Sequence, residues 1–157
     1  MKRTVNLSKM VEIREQLRGE KKKVVFTNGV FDILHVGHLS LFEKAKALGD
    51  VLVVGINTDA SVRRIKGDSR PIVPYRDRAK LVASLRPVDY VVGFGEDTPL
   101  LAIKKLMPDV LVKGADYKLS EIVGSKEVIE SGGKVVRIRL LPGKSTSRIV
   151  SLLRNYR

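Results

Sequence analysis

The chain has 157 residues, 43% of them hydrophobic, with no cysteine and with 30 Lys+Arg against 17 Asp+Glu, a formal net charge of +13. That length suits one domain with a single core, and the lack of Cys excludes a disulfide framework and a thiolate zinc site. No apolar run approaches the roughly 18 residues needed to cross a bilayer, so a cytoplasmic protein without a membrane partner is expected.

The first segment, residues 1–20, reads as an amphipathic helical extension carried by Leu7, Met10, Val11, Arg14 and Leu17 over residues 7–18. Residues 21–157 then read as one α/β domain. Five runs rich in β-branched and apolar residues recur at 23–27, 51–56, 88–92, 110–113 and 134–138. Several are continuous rather than alternating, as strands covered on both faces should be. Between them lies helical spacing, with Leu41, Phe42, Ala45 and Leu48 after the first run and Leu81 and Leu85 before the third. Further helices are expected near 98–107, near 119–131 and from about Ser145 onward. Right-handed crossovers turn this order into a five-stranded parallel sheet with helices on both faces. Ligands in such a sheet bind beyond the carboxyl ends of the strands, so the loops after each strand carry the candidates.

Both histidines of the chain fall in the loop after the first strand, in Thr27-Asn28-Gly29-Val30-Phe31-Asp32-Ile33-Leu34-His35-Val36-Gly37-His38. Where that loop turns into a helix, backbone N–H groups, the helix dipole and two imidazoles can converge on one anion. Gly37 would let a phosphate approach the backbone. A metal pair is a weaker reading, because two His lack a third ligand, and no residue is assigned to a metal.

This stretch resembles the nucleotidyltransferase superfamily that carries a His-x-Gly-His signature, which implies a Rossmann-like fold for the five-stranded sheet. The likeness continues in order through Gly55–Ser61, Lys66–Pro71, Asp97–Pro99, Val112–Tyr117, Glu121–Val128 and Gly143–Ser147, and these blocks look like the adenylyltransferase domain that acts on D-glycero-D-manno-heptose 1-phosphate. The resemblance implies transfer of AMP from ATP to that sugar phosphate, giving ADP-heptose and pyrophosphate for the lipopolysaccharide core, in a homodimer. It implies that His35, His38 and Lys66 are catalytic, with His38 stabilising the α-phosphate. It assigns Thr27, Asn28, Gly29, Phe31, Gly37, Lys113, Gly114, Ser145, Thr146 and Ser147 to the nucleotide, and Asn57, Asp59, Arg70, Arg78 and Asp116 to the substrate. Nothing of a sugar kinase, to which this domain is often fused, is present, so the chain reads as a stand-alone form.

The residue types agree with that class. The sugar phosphate oxygen attacks phosphorus directly, so the site needs cations, hydroxyls and N–H donors rather than a nucleophile. Lys66 and Arg70 stand in a Gly- and Pro-shaped loop, with Asp68 between them as an expected internal ion-pair partner; Lys44 stays open between a solvated base and a catalytic one. Mg²⁺ is expected with ATP, held mainly by phosphates and water. Two other readings remain: a cytidylyltransferase acting on glycerol 3-phosphate or a related alcohol phosphate, and a basic nucleic-acid-binding domain. The second rests on charge alone, concentrated at +5 in residues 1–24, +4 in 59–80 and +6 in 123–157. With four Phe, four Tyr and no Trp for base stacking, nucleic acid is not expected as a partner.

Overall fold

A computed structural model describes residues 3–156. Its elements in chain order are β1 (Thr4–Val5), α1 (Leu7–Gly19), β2 (Val24–Gly29), α2 (Val36–Lys46), β3 (Val51–Asn57), α3 (Asp59–Lys66) and α4 (Tyr75–Ser84). There follow β4 (Tyr90–Phe94), α5 (Leu100–Leu106), β5 (Val110–Gly114), a 3-10 turn at Leu119–Glu121, α6 (Ser125–Glu130), β6 (Lys134–Ile138) and α7 (Thr146–Arg154). All five expected strands form. A sixth, β1, corrects the count: it pairs in parallel with β4 through Thr4 and Val5, too short a run to show a pattern in sequence.

The sheet order is β1-β4-β3-β2-β5-β6, with every pairing parallel. From β2 the chain moves outward one way through β3 and β4, then returns to place β5 on the other side of β2. The strand order therefore reverses between β2 and β5, and the crevice for a ligand opens there. In β2 the period of two is plain, since Val24 and Phe26 enter the core on one face and Val25 the core on the other. The first core is completed by Leu41, Phe42 and Ala45 of α2 and Ala79 and Val82 of α4. The second is completed by Met10 of α1, Ile103 and Leu106 of α5 and Val128 of α6.

The extension is integrated with the rest of the domain. Asn6 caps α1 by accepting from the Lys9 N–H at 2.8 Å, and the buried Arg14 donates to Leu106 O and Met107 O, each at 3.1 Å, and pairs with Asp109. Residues 1–2, part of the expected extension, and Arg157 at the end of the domain lie outside the described residues. In α4 the apolar face differs from the expected one: Leu81 is exposed, while Arg78, Ala79 and Val82 face inward. The expected helix at 119–131 is split into the 3-10 turn and α6, because Gly124 takes φ +85°, which ends one turn and starts the next. No helix among the described residues is long and apolar enough to cross a membrane.

Candidate active site

The crevice lies where sheet topology puts it. Lys113, at the end of β5, donates from Nζ to the carbonyl of Asn28 at the end of β2, 3.2 Å away, and so bridges the two strands at the reversal. Burial lowers its pKa, opposed by Asp116, and its ammonium stands 5.2 Å from the centre of the Tyr117 ring. Two contiguous clefts, of about 400 and 300 Å³, open above this point and share Asn28, Gly29, His38, Lys66, Lys113 and Ser147.

His35 is the N-cap of α2 and His38 the third residue of its first turn. Their rings stack at 3.8 Å between centroids. His35 Nδ1 accepts from the Gly37 N–H at 3.1 Å, and His38 Nδ1 accepts from the His35 N–H at 3.4 Å. With both Nδ1 atoms acting as acceptors, each neutral ring carries its proton on Nε2. This corrects the expected anion site of free backbone N–H groups. The Gly37 amide is spent on His35, and the amides of His38 and Leu39 point to His35 O, at 3.0 and 3.3 Å. The side-chain donors left here for an anion are the two imidazole Nε2–H groups. Gly37 is also small for another reason than expected: a Cβ there would stand 2.8 Å from the His35 ring, so the space is kept for the imidazole.

Burial, and secondarily His35, pushes the His38 pKa down to about 4; burial, and secondarily Lys144, lowers that of His35. Both rings are therefore neutral near pH 7. The folded state takes up the His38 proton only near pH 4, whereas the unfolded chain does so near about 6.5. Between those values the unfolded chain binds more protons, so stability falls as pH drops from about 6.5 towards 4. Urea midpoints measured from pH 7 to 4.5 should decline more steeply for the wild type than for His38→Gln, which lacks this proton.

The other expected residues sort by what they touch. Lys66 ends α3 and, with Ser147, lines both clefts. Arg70 and Asn57 line the larger cleft, while Gly114 and Asp116 line the smaller. The run of three hydroxyls divides its work: Ser145 caps α7 through the Arg148 N–H, Thr146 Oγ1 donates to Ile33 O at 3.2 Å, and Ser147 alone keeps its hydroxyl without a partner among the described residues. Thr27 borders the smaller cleft, but it is buried with its hydroxyl donated to Val112 O at 3.0 Å, which clips β2 to β5. Phe31, also buried, packs edge-on against His38, and its ring fills the space over Gly29.

Two expected substrate residues lie away from the clefts. Arg78 is 0% exposed and donates to Val73 O at 2.8 Å, Val30 O at 2.6 Å and Asp59 Oδ1 at 2.7 Å. Asp59 also accepts from the Tyr75 N–H at 2.8 Å. Both are therefore tied up in holding the start of α4, and neither reaches the crevice. Lys44 is exposed and donates to Arg139 O, and Asp68 is exposed with no cation paired to it among the described residues. The carboxylate that Arg70 meets is Asp32, at 2.7 Å, a residue to which the sequence assigned no role. Its signal was a lone acid inside the histidine loop, ahead of a basic loop that needed a counter-charge. Lys144 beside His35, and Asp97, Thr98 and Pro99 on the cleft wall, were also without a role.

Among the described residues no group of three or more His, Cys, Asp or Glu is placed to hold a metal. Of the acids on the cleft walls, Asp32 faces Arg70 and Asp97 pairs with Arg64, while Asp116 stands beside Lys113. This donor set suits Mg²⁺ that arrives on a nucleotide's own phosphates.

A cytidylyltransferase-like family profile matches residues 26–151. The chain is 55% identical over 144 residues, 91% of its length, to the bifunctional protein HldE of Citrifermentans bemidjiense, and 54% identical over 143 residues to the bifunctional protein HldE of Helicobacter pylori. It spans 29% and 30% of those two proteins. The crystal structure of a lipopolysaccharide core biosynthesis protein from Thermoplasma volcanium superposes with a TM-score of 0.65 at 31% identity, covering 76% of this chain and 98% of that one. A pantoate-beta-alanine ligase from Francisella tularensis, 16% identical with a TM-score of 0.64 over 99% of this chain and 78% of its own, shares the fold.

Proposed function

The chain belongs to the cytidylyltransferase-like family of nucleotidyltransferases, and from that premise we propose that it transfers AMP from ATP to D-glycero-D-manno-heptose 1-phosphate, forming ADP-heptose and pyrophosphate. The observation that carries this reading is the convergence, at the strand reversal, of two Nε2–H imidazoles with Lys66, Lys113 and the free hydroxyl of Ser147. The likeness to HldE proteins and to a lipopolysaccharide core biosynthesis protein supports the sugar acceptor.

An oxygen of the sugar phosphate, already anionic, attacks the α-phosphorus while the bond from that phosphorus to the β-phosphate's bridging oxygen breaks and pyrophosphate leaves. No proton has to be removed from the attacking atom, which is why the site needs no general base. His38 donates from Nε2 to the α-phosphate oxygens as their charge grows, with His35 beside it on the same anion. The arriving triphosphate draws the imidazole pKa values upward, so the rings strengthen as donors when they are needed. Lys66, Arg70 and Lys113 neutralise the phosphates, with Asn28, Gly29, Gly37 and Gly114 forming the floor and Asn57 and Asp116 meeting the sugar end. Mg²⁺ held by the phosphates of ATP would supply further charge neutralisation beside Lys66, Arg70 and Lys113.

A cytoplasmic location belongs to the same reading, supported by the use of ATP as donor. A homodimer belongs to the same reading, supported by the apolar side chains that α7 leaves exposed, among them Leu152 and Leu153.

The test is pyrophosphate release with ATP, CTP or GTP against heptose 1-phosphate and glycerol 3-phosphate. Turnover with ATP and the heptose phosphate is expected. Turnover of CTP with glycerol 3-phosphate, and none with ATP, would overturn the assignment in favour of the alcohol-phosphate cytidylyltransferase.

A further inference from the structure

Asp32 is a buried carboxylate, 4% exposed, in the loop that leads to the two histidines, and it faces a different loop. Its Oδ1 accepts from the Ile72 N–H at 2.9 Å and the Val73 N–H at 2.8 Å. Its Oδ2 is 3.0 Å from the Ile72 nitrogen and 2.7 Å from Arg70 Nε. Two backbone donors and one cation nearly fill the lone pairs of this carboxylate.

The geometry of the Arg70 contact has an informative defect. Nε is buried and close to Oδ2, yet it makes no hydrogen bond, because the angle is wrong. The contact is therefore one of charge, and Asp32 does not take the guanidinium in a two-pronged grip. The Nη groups have no hydrogen-bond partner among the described residues, and the side chain, 17% exposed, lines the larger cleft together with Lys66 and His38. A planar guanidinium with both Nη groups free is suited to two oxygens of a phosphate.

We infer that Asp32 is a positioning residue: it anchors the 66–73 loop to the histidine loop and holds Arg70 by its Nε side, so that the Nη fork is presented to a phosphate in the cleft. The inference rests on the phosphate-transfer reading above and extends it to a residue that borders the larger cleft but spends its carboxylate on the 66–73 loop. Arg70 touches the phosphate; Asp32 acts through Arg70. Without the carboxylate charge, the guanidinium swings towards solvent and the loop amides of Ile72 and Val73 lose their common acceptor.

The experiment is a double-mutant cycle on the full chain, with inorganic pyrophosphate as the probe and calorimetric affinity as the readout, for wild type, Asp32→Asn, Arg70→Ala and the double variant. Each single variant should bind pyrophosphate on the order of tenfold more weakly, and the double variant no more weakly than Arg70→Ala. Losses that multiply would show that Asp32 acts independently of Arg70, and would overturn the inference, as would a wild type with no affinity for pyrophosphate.

Should Asp32→Asn not fold, nitrogen-15 spectra of the wild type serve instead. Pyrophosphate should shift the Arg70 Nε–H together with the Ile72 and Val73 amides, and the amide shifts should vanish in Arg70→Ala. Unmoved resonances would overturn the inference. The probe has no nucleobase and needs no acceptor, so failure of the turnover test with a coupled cycle would sink the proposed reaction and leave the role of Asp32 standing. Turnover with multiplicative losses would do the reverse.

Discussion

Replacing His38 by Ala is expected to lower the rate of ADP-heptose formation by about 10²- to 10⁴-fold, the range seen when one preorganised donor to a developing charge is removed. The imidazole offers Nε2–H at the cleft because its Nδ1 is already engaged by the His35 N–H, so the donor points one way only. Alanine removes that donor and also the partner that fixes the His35 backbone. The stability cost should be small, about 1 kcal/mol as for a lost helix cap. Steady-state kinetics beside a thermal melt separate the two effects. A rate within threefold of wild type would remove His38 from the chemistry, whereas a nucleic-acid-binding function for this basic chain would give no turnover in wild type or variant.

Arg78→Ala should instead damage the fold. The guanidinium joins three segments, reaching Val73 O before α4, Val30 O in the histidine loop and Asp59 at the start of α3. Truncation strands two carbonyls and a carboxylate that is 31% exposed, and it opens a cavity at one of the largest fully buried side chains. Breaking a buried ion pair from one side costs about 3–5 kcal/mol. In a chain of this size that lowers the melting temperature by on the order of 10 °C. Arg78→Met, which keeps the apolar stem, should recover part of the loss. Below the melting range the surviving Arg78→Ala protein should keep a near-normal KM for ATP, because the side chain never reaches the nucleotide. A normal melt with a tenfold rise in KM would reinstate Arg78 as a phosphate contact.

Arg78 also shows where sequence reasoning stops. The parallel sheet was legible because β2, β3 and β5 are continuous apolar runs, a pattern that only burial on both faces produces. The crevice followed from topology, with His35 and His38 in the loop directly after β2 and Lys113 at the end of β5, while Lys66, at the end of α3, was found through the resemblance of its Gly- and Pro-marked block. Yet a basic residue looks the same in sequence whether it neutralises a substrate or a buried aspartate. Spacing held a faint clue, since Arg78 lies one turn before the buried Val82, but Leu81 suggested another inward face and is itself exposed. Gly37 gives a subtler case: its smallness was visible, but the atom it makes room for belongs to His35 and not to the ligand. Asp32 could not be paired with Arg70 across 37 intervening positions without the fold, which brings their loops together over the crevice.

In the proposed reaction one in-line displacement occurs at the α-phosphorus, with this chain supplying position and charge and no nucleophile. It is tested most directly by running the reaction with ATP made chiral by sulfur at the α-phosphorus and determining the configuration of the sugar nucleotide formed. Inversion is the predicted result. Retention would mean two displacements through a covalent nucleotidyl-enzyme, and would contradict the account.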